Sequence, residues 1–89
     1  MAPHRPSEIY TSMKILEQYL LDNGVDGFWF SINRLPVEDL TYVLLWDGER
    51  GKCYFPERGI EFDLVKSGDR RALVDAFIDM INRRLETPA

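Results

Sequence analysis

Residues 27–66 read GFWFSINRLPVEDLTYVLLWDGERGKCYFPERGIEFDLVK, and this stretch decides the fold. Four runs rich in aromatic and β-branched residues alternate with turn chemistry, the pattern of a small sheet. The first run, Phe28 to Asn33, sets Phe28, Phe30 and Ile32 on one side and Trp29, Ser31 and Asn33 on the other. Arg34 to Leu40 carries a proline and two acids and reads as a loop, with a short helical turn allowed after Pro36. The second run, Thr41 to Trp46, is apolar on both sides: Tyr42, Leu44 and Trp46 share one face, Val43 and Leu45 the other.

Asp47-Gly48-Glu49-Arg50-Gly51 is a hairpin link, and Lys52 to Phe55 a short third strand. Pro56-Glu57-Arg58-Gly59 fits a proline-initiated turn. The fourth strand, Ile60 to Val65, alternates cleanly, which sends Ile60, Phe62 and Leu64 inward and Glu61 and Asp63 outward.

Helical patterns flank this core. Ile9, Met13, Leu16 and Leu20 recur at spacings of four, three and four, in a helix expected from a Ser7 cap to Gly24, whose lack of a Cβ suits the left-handed terminating position. After two cap candidates, Ser67 and Asp69, the last helix sets Leu73, Phe77 and Met80 beside Val74, Ile78, Ile81 and Leu85 in one wide apolar stripe. The order α-β-β-β-β-α predicts an α+β domain over residues 7–86: an antiparallel meander with both helices on one face. Residues 1–6 read as a flexible arm and 87–89 as a tail.

Eighty-nine residues suffice for one domain, and eleven aromatic residues supply large groups for a small core. One cysteine and one histidine make neither an internal disulfide nor a zinc site, so a cytoplasmic protein is the simplest expectation. No apolar run is long enough to span a bilayer, so no membrane association is expected. The net charge of −4 disfavours nonspecific contact with phosphate backbones. No calcium loop, glycine-rich phosphate loop or H-E-x-x-H motif occurs, and no cofactor is expected.

With helices on one face, the other sheet face is left with surplus apolar side chains. Trp29, Val43 and Leu45 (or Tyr42, Leu44 and Trp46, with the opposite facing) are therefore the candidate partner-binding residues. The function expected from them is a non-catalytic protein–protein interaction module, in the manner of small acidic inhibitors, immunity proteins, antitoxins or chaperones. Its partner would be another protein, basic in character, or a second copy of itself.

Two alternatives rest on other residues. Arg50, Lys52 and Arg58 cluster about the hairpin turns, and Arg70-Arg71 open the last helix. The order α-β-β-β-α resembles the double-stranded-RNA-binding domain, and that resemblance implies phosphate contact by the opening turn of the last helix. An apparent extra strand and an acidic first loop depart from the family's pattern. The second alternative is a metal-dependent enzyme using Glu61 and Asp63, two residues apart on a strand and able to share a hard cation. Cys53 lacks a positioned base and is expected to be a core or half-buried thiol rather than a nucleophile.

Overall fold

Local capping chemistry sets the boundaries in the computed structural model, which describes residues 5–34 and 41–86. Side chains beyond Arg84 lie outside that description, as do the expected turn after Pro36, the Leu85 contribution to the helical stripe and the tail at 87–89. The expected first helix is divided in two. Ser7–Tyr10 form a single 3-10 turn, and α1 then spans Met13–Asp22. Ser12 makes the division, because its hydroxyl accepts the Ile15 N–H and caps a new helix. At the other end Gly24 has φ +86°. The Val25 N–H reaches the Leu20 carbonyl and the Gly24 N–H reaches that of Leu21, a Schellman motif that satisfies carbonyls left over at the helix end.

Asp26 then redirects the chain. Its carboxylate accepts the Phe28 N–H and organises Gly27–Trp29 as a second 3-10 turn, where extended chain was expected. Strand β1 is thereby shortened to Phe30–Ile32. Asn33 ends it in a left-handed conformation, φ 57°, while its side-chain oxygen accepts the Trp46 N–H. Strands β2 (Tyr42–Trp46), β3 (Gly51–Glu57) and β4 (Ile60–Ser67) follow, and α2 runs from Arg70 to Glu86. Of the two cap candidates, Asp69 does the capping, accepting the Arg71 and Ala72 N–H groups, while the Ser67 hydroxyl accepts that of Asp69.

The sheet order is β1-β2-β3-β4, and here the expected meander is corrected: β1 pairs with β2 in parallel, so the sheet is mixed. The link from Asn33 to Thr41 is longer than a hairpin loop, and length alone does not force antiparallel pairing there. The other two connections are true hairpins. Pro56 and Glu57 belong to β3 rather than to a turn, because the reversal is a two-residue one at Arg58-Gly59, both with positive φ.

One hydrophobic core joins the helices to a single sheet face. Ile9, Leu16 and Leu20 meet Leu73, Val74, Phe77, Ile78, Met80 and Ile81 over Phe30, Ile32, Tyr42, Leu44 and Cys53. The α+β class is thus as the patterning predicted. Arg5, placed by composition in a flexible arm, forks onto Asp75 and Asp79 of α2 at 2.7 and 2.8 Å. Tyr10 donates its hydroxyl to the same Asp75 at 2.6 Å, and that bond raises the tyrosine pKa. Among the described residues no helix is long and apolar enough to cross a membrane.

Candidate interaction surface

The alternation of β2 and β3 assigns each side chain to a face. Tyr42, Leu44 and Cys53 face the helices, so Val43, Lys52 and Tyr54 face away. The proposed partner-binding residues are placed accordingly. Tyr42 is buried in the core, where desolvation raises its pKa, and Trp29 and Trp46 are half-buried against it. On the far side Val43 is 0% exposed, in register between Ser31 and Tyr54, which are also buried. Leu45, on the same side, is half-buried. The centre of the face that patterning left with surplus apolar groups is therefore closed.

The apolar surface lies elsewhere. Ile60, Phe62 and Leu64 are 56%, 44% and 40% exposed, all on β4, which is an edge of the sheet. Phe28, on its 3-10 turn, and Ile15 and Leu21, on α1, are also exposed and stand apart from that edge in the chain.

The geometry of β4 turns on one extra residue. Val65 pairs with Cys53, but Phe62 pairs with Phe55, so Asp63 and Leu64 together oppose the single residue Tyr54. This is a β-bulge, and Asp63 occupies its left-handed position with φ 55°. The bulge reverses the alternation beyond it. Phe62 and Val65 both share the helix-facing side with their partners Phe55 and Cys53, and Leu64 loses the inward place that simple alternation gave it. The hint in the sequence was the aspartate, a residue that tolerates the left-handed region better than most.

Charges on the outward face of this edge are unevenly matched. The Lys52 ammonium bonds Glu61 at 2.7 Å and lies 5.1 Å from the Tyr54 ring centroid. That bond to Glu61 raises the lysine pKa. Lys66 sits directly opposite Lys52 in the pairing, like charge facing like charge. Lys52 and Lys66 also line an open groove of about 820 Å³ together with Asn33, Leu45 and Arg50.

The five basic residues of the nucleic-acid alternative are brought together only in part: Arg50 and Lys52 share the groove, which Trp46 also lines. Arg70 stacks on Trp46 and bonds the Thr11 carbonyl, and Arg71 stacks on Tyr10. Arg50 and Arg58 flank opposite ends of the seven-residue β3, more than about 20 Å apart by strand rise. Of the two carboxylates of the enzyme alternative, Glu61 is held by Lys52 on the outward face, and Asp63 occupies the left-handed position of the bulge. Among the described residues no three His, Cys, Asp or Glu side chains converge as a metal site. Cys53 is fully buried, and burial pushes its thiol up to about 11, far from a reactive thiolate at neutral pH. The chain matches no family model, no curated protein and no solved structure.

Proposed function

We propose that the protein is a non-catalytic protein–protein interaction module that docks through the β4 edge, with an extended segment of the partner added to the sheet. One observation carries this reading: an eight-residue edge strand that exposes Ile60, Phe62 and Leu64. An edge strand presents unpaired backbone N–H and C=O groups, and proteins ordinarily blunt such edges with short length, charge, bulges or cover. Here the edge is eight residues long, and beside Glu61, Asp63, Lys66 and the bulge it exposes three large apolar side chains, Ile60 and Phe62 on the helix-facing side and Leu64 beyond the bulge on the other. The acidic balance is that of small inhibitors, immunity proteins, antitoxins and chaperones, which act by docking rather than chemistry.

The test is site-specific photo-crosslinking. A photoreactive residue replacing Ile60 or Leu64 is expected to give a discrete protein adduct, and one replacing Phe28 to give none. Phe62→Ala should weaken the same complex by about 1–3 kcal/mol. Adducts from the Phe28 position alone, or a complex indifferent to Phe62→Ala in a folded variant, would overturn the assignment of the edge.

A further inference from the structure

We infer that the partner at this edge is a second copy of the same chain, its β4 running antiparallel to the first about a two-fold axis between Asp63 and Leu64. The inference rests on the reading of β4 as a docking edge and goes further by naming what occupies it. Three observations point to self-pairing.

The first is charge. The strand reads Ile60-Glu61-Phe62-Asp63-Leu64-Val65-Lys66-Ser67, acidic in its first half and basic in its second. Antiparallel pairing about its centre sets Glu61 against Lys66 of the second copy, twice by symmetry. Cross-strand pairs of opposite charge stabilise a sheet, and the residue paired with Lys66 in its own chain is Lys52, of like charge. Glu61, already bonded to Lys52 through one carboxylate oxygen, Oε2, has its other oxygen to offer.

The second is facing. In one continuous antiparallel sheet, directly opposed residues share a face. The two-fold opposes Phe62 to Val65 of the second copy. Without a bulge those two would lie on opposite faces, since they are three residues apart. The bulge at Asp63 puts both on the helix-facing side, so both copies direct their helices the same way.

The third is apolar area. Ile60 and Phe62 extend exposed from the helix-covered side, where the second copy's Val65 and neighbouring side chains would meet them. A charge of −4 on each copy opposes approach at long range, but screening over about 8 Å at physiological salt leaves the local pairs to decide.

Light scattering during size exclusion should give twice the monomer mass for the wild type. Lys66→Glu should weaken the dimer by about tenfold or more, because it opposes two carboxylates. Glu61→Lys should do the same, and the double variant Glu61→Lys with Lys66→Glu should restore it. Circular dichroism reports whether each variant is folded. A wild type that stays monomeric overturns the inference, as does a dimer untouched by Lys66→Glu. A second measurement needs no variant: carbodiimide coupling of mixed isotope-labelled and unlabelled chains should yield Glu61–Lys66 links joining the two isotopes. Links confined to one isotope overturn the inference. A monomer that still captures a different protein from position 60 or 64 rejects the self-pairing alone. A monomer that captures nothing there rejects the docking edge as well.

Discussion

The sulfur of Cys53 lies 3.7 Å from the sulfur of Met80, joining the centre of the sheet to α2 across a fully buried contact. Burial of the thiol couples it to stability at alkaline pH. Its pKa is raised from an ordinary 9.0 to about 11, so the unfolded chain loses that proton first. The stabilisation is complete below pH 9 and is lost as pH rises toward 11. Between pH 8 and 10 the wild type should therefore lose about 1–1.5 kcal/mol more than Cys53→Ala, by urea midpoints at each pH. Equal slopes would mean that the thiol ionises as readily in the folded chain as in the unfolded one.

Gly51 is irreplaceable for steric reasons. A methyl group there would collide with the Leu45 carbonyl oxygen and stand 2.9 Å from a Leu73 methyl. The first obstacle is backbone of the neighbouring strand, which cannot turn aside as a side chain can. Gly51→Ala should cost about 2–4 kcal/mol, read as a fall in the thermal midpoint. A loss below about 1 kcal/mol would mean that the β2–β3 pair has more freedom than its register implies.

Arg58 presents the opposite case, a side chain where the backbone favours another. It is exposed, with φ 53°, and precedes Gly59 at φ 80° in a two-residue hairpin turn that prefers Asn-Gly. Arg58→Asn should stabilise the fold by about 0.5–1 kcal/mol in chemical denaturation. Destabilisation would show that the arginine makes a contact worth more than the strain.

Phe28 and Val43 exchange the roles that alternation gave them. Phe28→Ser, at a side chain 87% exposed, should move stability by less than about 0.5 kcal/mol. Val43→Ala, at a side chain fully buried on the sheet's far face, should cost about 1–2 kcal/mol. The reverse order of effects would return Phe28 to the core and open the far face.

What the sequence by itself determined is local. Spacing of Leu16 and Leu20, and of Leu73, Phe77 and Ile81, defined two amphipathic helices, because helical periodicity needs only near neighbours. Gly24 ended the first helix, and the links around Gly48 and Gly59 made hairpins of β2-β3 and β3-β4, since turn chemistry is also a matter of adjacent residues. The candidate site was much less legible. The large apolar residues were visible, but which of them stays open depends on pairings between distant segments. Only the tertiary structure put β1 in parallel beside β2, closed the far face over Val43 and left β4 at the edge. Only the pairing of β4 with β3 showed that one aspartate, Asp63, shifts every later side chain to the other face. The physical reason is the two-residue period of a strand: one inserted residue inverts all that follows, and the run Ile-Glu-Phe-Asp-Leu alternates identically with or without it.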